Sequence, residues 1–275
     1  VLKKIGVEEI TVVPEQELPD GNFTTCPYPN PEIKEALQKG IELCEKVQPD
    51  LLLATDPDAD RVGIAVKDYD GSYRLISGNE DGIMLTDYIL SSRKANGTLP
   101  EKPVLVKTIV TTNLADAIAK SYGIRLIECL TGFKYIGQQI LGFEQSGKGT
   151  YLFGFEESYG CLIGTHARDK DAIVATMALC EAAAYYKKQG KTLWDQMLAI
   201  YDKYGYYKDS VKSVTMKGIE GLAKIAQTME NLRANAPENI GPYKVLQARD
   251  YKLDTCKNME TGEVTPTGLP QSNVL

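Results

Sequence analysis

The sequence has 275 residues, of which 43% are hydrophobic and 25% charged, so the chain can bury a sizeable core and has room for about two domains. Its formal net charge of −6 argues against wrapping of a nucleic-acid backbone, although a local basic pocket for a phosphate is compatible with it. No apolar run reaches the roughly 20 residues that cross a membrane, and the six cysteines contain no CxxC pair. We therefore expect a cytoplasmic globular protein with no nucleic-acid or membrane partner. Because the first residue is not Met, we also expect the chain to be a piece of a longer protein.

The first part of the chain predicts strands on either side of one helix. Glu9–Val13 predicts a strand, which a loop rich in Pro and Asn separates from a helix with apolar positions at helical spacing over 33–44. Leu51–Ala54 predicts a buried strand. Val62–Val66 alternates as a further strand that turns at Asp70-Gly71.

From about residue 77 the sequence predicts helices alternating with strands, which indicates a second α/β unit. The predicted helices are Asp81–Lys94, Asn113–Ser121, Phe133–Leu141, Asp171–Lys188 and Leu193–Tyr204. The predicted strands are Val104–Ile109, Arg125–Cys129 and Tyr151–Phe155, and a loop over Glu156–Lys170 follows them. The alternation weakens beyond residue 205, where we predict a strand at Lys208–Met216, a helix at Ile219–Ala234, a strand at Tyr243–Gln247 and a polar, unanchored end from Lys257.

These patterns predict the α/β fold class, with two consecutive three-layer α/β/α domains, mostly parallel mixed sheets and a partial C-terminal segment. We place the domains at 1–76, 77–205 and 206–275. Ligands of such sheets gather beyond the carboxyl ends of the strands, so the loops that follow the predicted strands are the candidate sites.

The first candidate site is an acidic loop. Asp56, Asp58 and Asp60 stand at alternate positions after the predicted strand Leu51–Ala54, and Arg61 follows them. Crowded carboxylates repel one another unless a positive charge compensates, and Mg²⁺ takes hard oxygen ligands while leaving positions for phosphate oxygens. The pattern therefore favours a Mg²⁺ site, with Arg61 placed to bind a phosphate or a carboxylate. A solvated acidic turn is the alternative, and an EF-hand loop fits poorly because its Gly and terminal Glu are missing.

Three further segments carry candidate site residues. Gly154–Gly160 follows a predicted strand, and its carboxylates and hydroxyl suit vicinal sugar hydroxyls, although a solvated turn or helix cap has the same composition. Lys170 begins a long helix, where it can move a proton or neutralise a phosphate, or form only a surface ion pair. Thr131–Lys134 lies between a strand and a helix, where backbone amides can meet an anion or a sugar oxygen, or simply start the helix.

Taken together and in this order, four motifs resemble the α-D-phosphohexomutase family of phosphoglucomutases and phosphomannomutases. The motifs are Thr55–Arg61, Thr131–Lys134, Gly154–Gly160 and Arg168–Asp171. The resemblance covers essentially the whole chain as the central portion of a four-domain enzyme, and Pro57 replaces the commoner Gly of the acidic loop. The last two motifs look closer to the phosphoglucomutase and phosphopentomutase branches.

The resemblance implies a role for each candidate residue. It makes Asp56, Asp58 and Asp60 the Mg²⁺ ligands, Arg61 the support of the phosphoserine region, Thr131, Gly132, Glu156 and Ser158 the sugar-binding residues, and Lys170 the general acid or base. The implied reaction moves a phosphoryl group within a glucose, mannose or pentose phosphate, through a phosphoserine and a sugar 1,6-bisphosphate that is intermediate and activator. The phosphoserine segment and the phosphate loop of the fourth domain are missing, so we expect the chain alone to be inactive.

Two other functions stay open. A phosphatase of the haloacid dehalogenase type would use Asp56 as nucleophile and Asp58 as acid, although Asp60 stands where that class usually has Thr or Val. A non-catalytic sugar-phosphate-binding module would bind a bisphosphate without turning it over.

Overall fold

The computed structural model describes residues 1–210 and 214–275, which divide into two compact units, Val1–Asp209 and Ser210–Leu275. The first unit contains the helices α1 (Lys34–Val47), α2 (Gly78–Ala95), α3 (Leu114–Tyr122), α4 (Phe133–Ser146), α5 (Ala172–Lys187) and α6 (Leu193–Tyr204). Its strands are β1 (Leu51–Thr55), β2 (Val62–Lys67), β3 (Tyr73–Ile76), β4 (Pro103–Thr108), β5 (Arg125–Cys129), β6 (Thr150–Phe155) and β7 (Cys161–Ile163). The proposed division of this unit at residue 76 stays a prediction.

The first sheet of this unit has the order β1-β2-β3 and is antiparallel throughout, with Leu53 opposite Ile64. We expected mostly parallel pairing. The expectation is wrong for this sheet because short turns join its strands, and a short turn reverses the chain, whereas parallel neighbours need a crossover connection. Leu52 packs against α1 at Gly40, which has no room for a Cβ, while Leu51 and Leu53 pack against the main core on the other face.

The second sheet has the order β5-β4-β6-β7, in which β4 pairs in parallel with β5 and β6, and β7 is antiparallel to β6. Alternate residues of β4 serve two cores: Leu105 belongs to the main core, and Val104 and Val106 belong to a second core with Ile136 and Ile140 of α4. The sheet therefore lies between helical layers, and the α/β class with mixed pairing is confirmed.

The predicted helices are confirmed, although α2 begins earlier than predicted. Two predictions outside the helices are wrong, one of a strand and one of a loop. α2 begins three residues before Asp81 because Ser77 and Glu80 form a capping box, in which each side chain accepts a hydrogen bond from the other's backbone N–H. The predicted strand Glu9–Val13 is wrong, since it pairs with none of the described strands. The predicted loop after β6 contains β7, which a run of only three residues did not reveal.

The second unit contains α7 (Gly218–Ala234), the hairpin of β8 (Asn239–Ile240) with β9 (Tyr243–Lys244), and an antiparallel sheet of β10 (Gln247–Asp250), β11 (Thr255–Asn258) and β12 (Val264–Thr265). The end that we expected to be unanchored thus forms strands. The predicted strand Lys208–Met216 falls partly on residues 211–213, which lie outside the described residues, and its described flanks are not in a strand. Within the described ranges, no helix has the length and apolar character that crossing a membrane requires.

Candidate functional site

The aspartate loop, residues 56–61, joins β1 to β2 and begins with the buried Asp56. Oδ1 of Asp56 accepts hydrogen bonds from the backbone N–H groups of Asp60, at 3.1 Å, and Arg61, at 3.0 Å. Oδ2 of Asp56 accepts a hydrogen bond from Nε of Arg61 at 2.7 Å. Because the first carboxylate closes its own loop, the later aspartates are held on a defined turn.

The three aspartates of this loop form a candidate metal site. Carboxylate oxygens of Asp56, Asp58 and Asp60 all lie within 4.8 Å of one another. Ala59 has a left-handed φ of 54°, which turns the backbone tightly between Asp58 and Asp60. Oxygen donors at this spacing fit a hard divalent cation such as Mg²⁺, which leaves part of its coordination shell to water or phosphate. The residues predicted as ligands are therefore brought together.

Charge is compensated differently at the two ends of the loop. Burial raises the pKa of Asp56, but hydrogen bonds and the charge of Arg61 outweigh burial and lower that pKa below its ordinary value. Burial also raises the pKa of Asp60, and the charge of Asp56 adds to this effect, so the pKa stays raised although Lys170 opposes the rise. The charged form of Asp60 is thus less stabilised than that of Asp56, so an added positive charge would stabilise it.

Lys170 reaches the aspartate loop from the segment before α5. Its Nζ lies 2.8 Å from Oδ2 of Asp60 and 3.0 Å from Oδ1 of Asp169. Its aliphatic stem crosses Gly160, where a Cβ would clash with it. Burial lowers the pKa of Lys170, but the two carboxylates outweigh burial and raise the pKa above its ordinary value. The ammonium is therefore an ion-pair partner of Asp60, one of the predicted metal ligands.

The glutamate loop, residues 156–160, follows β6 and contains two of the predicted sugar-binding residues. Glu156 is buried, and its Oε1 accepts a hydrogen bond from the backbone N–H of Gly132 at 2.9 Å. Burial, with the charges of Glu157 and Asp169, raises the pKa of Glu156 above its ordinary value, although this hydrogen bond and Lys170 oppose the rise. Ser158 is half-buried, at the middle of the loop. The loop therefore combines a buried carboxylate with a partly accessible hydroxyl.

Backbone contacts join the two loops. Gly160 forms an antiparallel bridge with Arg61, and the backbone N–H of Val62 donates to the carbonyl of Tyr159 at 3.2 Å. The backbone N–H of Ala172, in the first turn of α5, donates to the carbonyl of Ala59 at 3.0 Å. Lys170 lies between these contacts. The predicted metal ligands and sugar-binding residues thus occupy one continuous site.

The predicted residues before α4 lie at the edge of this site. Gly132 is the N-cap of α4, with a φ of 116° that favours glycine, and its N–H is engaged by Glu156. Thr131 is exposed beside it. Gly132 therefore fixes the position of Glu156, and its amide is not free to meet an anion as the sequence analysis suggested.

Sequence reasoning missed the side chains that support this site. Oε2 of Glu157 accepts hydrogen bonds from the hydroxyl groups of Thr108, at 3.1 Å, and Thr111, at 3.2 Å, which tie the glutamate loop to the end of β4. Asn30 and Glu32 accept hydrogen bonds from Arg61 on the far side of the aspartate loop. The partners in these pairs are far apart in sequence. The sequence indicates them only through polar residues at strand ends and in a Pro-rich loop.

Comparisons with known proteins agree with this arrangement. Residues 77–204 match the model of phosphoglucomutase/phosphomannomutase α/β/α domain III, and residues 1–71 match α/β/α domain II. A phosphoglucomutase of Staphylococcus aureus (strain MRSA252) is 34% identical over 275 residues, and one of Staphylococcus epidermidis is 34% identical over 277 residues. Each match covers 100% of this chain and 49% of the relative, so the chain spans about half the length of the curated relatives it matches.

Solved structures give the same fold. A phosphoglucomutase/phosphomannomutase family protein from Burkholderia thailandensis has a TM-score of 0.55 at 18% identity, over 80% of this chain and 41% of the other. A Thermus thermophilus protein described as a phosphomannomutase has a TM-score of 0.51 at 26% identity, over 64% of this chain and 36% of the other. The chain belongs to the α-D-phosphohexomutase family and covers its central domains.

Proposed function

We propose that this chain forms the metal-binding and sugar-binding part of a Mg²⁺-dependent, phosphoglucomutase-like enzyme, and that the phosphoserine and the substrate-phosphate loop belong to other parts of a longer protein. The main support for this proposal is that two contacts join the aspartate loop to the glutamate loop. These are the ion pair of Lys170 with Asp60 and the backbone bridge of Gly160 with Arg61. The curated relatives are phosphoglucomutases about twice as long as this chain, which supports an incomplete catalytic unit. A cytoplasmic setting, which we also propose, fits six cysteines that are all free thiols.

Each loop would contribute a distinct part of phosphoryl transfer. Asp56, Asp58 and Asp60 would hold Mg²⁺, which when bound neutralises charge on phosphate oxygens. The glutamate loop would grip sugar hydroxyls through Glu156 and Ser158, with Thr131 and Gly132 at the edge of the sugar site. The phosphoserine would transfer its phosphoryl group to the sugar monophosphate, and the resulting sugar bisphosphate would rebind in a second orientation and return its other phosphoryl group to the serine. Glucose, mannose and pentose phosphates are the candidate substrates.

Lys170 and Arg61 would act beside these ligands. Lys170 would donate a proton to, or accept one from, a sugar hydroxyl, since it lies between the aspartate and glutamate loops. Arg61 would support the phosphoserine region with the part of its guanidinium that Asp56, Asn30 and Glu32 do not engage.

The phosphatase alternative is not favoured. That class usually has Thr or Val two residues after the second aspartate, where this chain has Asp60. The family models match the phosphoglucomutase/phosphomannomutase domains instead, and Asp56, Asp58 and Asp60 together form a cluster that fits a cation. A non-catalytic binding module would have the same site but would not convert the sugar phosphate. Only an activity assay distinguishes it from our proposal.

The first test is calorimetric titration of the chain with Mn²⁺ or Mg²⁺. Asp58→Asn is the cleanest variant because Asp58 is exposed and closes no loop, and Asp202→Asn, an exposed aspartate of α6, is the matched control. We expect one binding site that Asp58→Asn weakens at least tenfold and Asp202→Asn leaves unchanged. No binding to the folded chain, or equal binding by both variants, would contradict the metal site.

The second test restores the full length of the protein and measures interconversion of 1- and 6-phosphates of glucose and mannose, and of 1- and 5-phosphates of ribose, with the matching bisphosphate added. Turnover of at least one substrate that Lys170→Met abolishes is expected. A full-length protein that binds bisphosphate but converts none of these substrates would favour the non-catalytic module.

A further inference from the structure

The segment Asn30–Glu32, which lies in the loop before α1, packs against β2 beside Arg61. Gly63 of β2 has no room for a Cβ, because Cβ and the carbonyl oxygen of Pro31 would each lie 2.8 Å from it. Pro31 is buried in this contact, and Oδ1 of Asn30 accepts the backbone N–H of Glu32 at 3.1 Å, which fixes the turn. Close backbone packing therefore sets where the side chains of Asn30 and Glu32 lie.

Both side chains bind the outer edge of the Arg61 guanidinium. Its Nη1 donates to Oδ1 of Asn30 at 3.2 Å and to Oε1 of Glu32 at 3.0 Å. Its Nε donates to Oδ2 of Asp56 at 2.7 Å. Three acceptors on two sides of a planar group determine its orientation, which a single carboxylate does not.

Without the outer acceptors, Arg61 has another partner within reach. Oδ1 of Asp60 lies 3.8 Å from Nε of Arg61, longer than a hydrogen bond but close enough for a small side-chain rotation to bring the two together. Without hydrogen bonds from its Nη1 to Asn30 and Glu32, Arg61 would bind the carboxylates of Asp56 and Asp60 simultaneously. It would then compete with a cation for both carboxylates.

We infer that Asn30 and Glu32 are positioning residues, which hold the guanidinium of Arg61 on Asp56 and keep it away from Asp60. The inference rests on the proposed metal site, because its consequence is that the guanidinium of Arg61 does not compete with a divalent cation for Asp60. The two residues act through Arg61 and need no contact with the cation.

Two measurements on the 275-residue chain test this inference. The first is the NMR signal of the Arg61 Nε–H group, identified by its loss in Arg61→Met and recorded without metal. We expect Glu32→Ala to shift or broaden the signal, while Glu32→Gln, which retains an oxygen acceptor, keeps it near its original position. Glu35→Ala is the matched control, since Glu35 is an exposed acid in the first turn of α1. An unchanged signal in Glu32→Ala would overturn the inference.

The second measurement is Mn²⁺ affinity in a double-mutant cycle. Glu32→Ala is expected to weaken Mn²⁺ binding roughly tenfold in the wild-type background and to have no effect in the Arg61→Met background. An equal loss in both backgrounds, or an equal loss in Glu32→Gln, would mean that Glu32 acts only through its charge and would overturn the positioning role. If the wild-type chain binds no Mn²⁺, the proposed metal site fails, and the NMR measurement alone still decides whether Glu32 positions Arg61.

Discussion

Replacing Lys170 by Met is expected to strengthen metal binding while it weakens the metal-free fold. In the metal-free chain, Nζ of Lys170 lies 2.8 Å from Oδ2 of Asp60, and unit charges at this distance attract by about 6 kcal/mol at an effective dielectric constant of about 20. The two side chains are 16% and 25% exposed, and desolvation and side-chain entropy offset most of the attraction. We therefore expect Lys170→Met to lower the metal-free free energy of unfolding by about 1–2 kcal/mol.

The same ammonium opposes a cation at the aspartate loop. Removing it should lower the Mn²⁺ dissociation constant about tenfold, which corresponds to about 1.4 kcal/mol. Because such coupling is reciprocal, a bound cation would weaken the pair of Lys170 with Asp60 by the same free energy.

Calorimetric Mn²⁺ titration and urea unfolding with and without Mn²⁺ measure both effects, with Lys148→Met as the control for loss of an exposed lysine. Weaker Mn²⁺ binding by a folded Lys170→Met variant would show that the ammonium orients Asp60 for the metal. Unchanged affinity together with unchanged stability would show that the ion pair has no energetic role. Either result would refute the reasoning.

Two further substitutions test the packing and the buried charge near the site. A Cβ at Gly78 would clash with the carbonyl of Glu157 and lie 2.7 Å from the backbone nitrogen of Tyr159. Gly78→Ala should therefore lower the free energy of unfolding by about 1–3 kcal/mol, measured by thermal unfolding. Gly142 of α4 has open space around a Cβ, so the control Gly142→Ala should raise that free energy by up to about 1 kcal/mol. Equal effects of the two alanines would contradict the close packing. Burial raises the pKa of Asp81 from 3.8 to about 8 in the folded chain, so ionisation of this group should lower the free energy of unfolding progressively as pH rises from about 4 to about 8. Asp81→Asn should remove up to roughly 5 kcal/mol of that fall. Urea unfolding at pH 5 and pH 8.5 checks this, and parallel pH profiles for variant and wild type would contradict it.

The sequence was sufficient where a signal is local. The apolar strand before Asp56, the alternation of the three aspartates and the helical spacing over 33–44 each depend on neighbours in the chain, and the structure has the corresponding elements. The capping box of Ser77 with Glu80 is also local, and it explains why α2 starts earlier than its apolar pattern indicated.

The sequence was insufficient where the partner is remote. Periodicity identifies β1 and β2 as strands but carries no information on which strand pairs with which, so the antiparallel first sheet was not anticipated. The contact of Glu157 with Thr108 spans 49 residues and that of Arg61 with Glu32 spans 29, and neither spacing has a meaning within a helix or a strand. Such pairs depend on the three-dimensional placement of loops.

Backbone contacts join the aspartate loop to the segment after β6, and they limit the movement of these two parts of the site relative to each other. The aspartate loop and the segment after β6 are joined by the bridge of Arg61 with Gly160 and by the hydrogen bonds of Val62 with Tyr159 and of Ala172 with Ala59. The main core beneath them also combines residues of both sheets, including Ile64 and Phe153. Backbone contacts are independent of rotamer changes, so a cation at the aspartates and a sugar at the glutamate loop would keep a fixed separation. Lys170, whose long side chain pairs with both Asp60 and Asp169, is then the charged group placed between them.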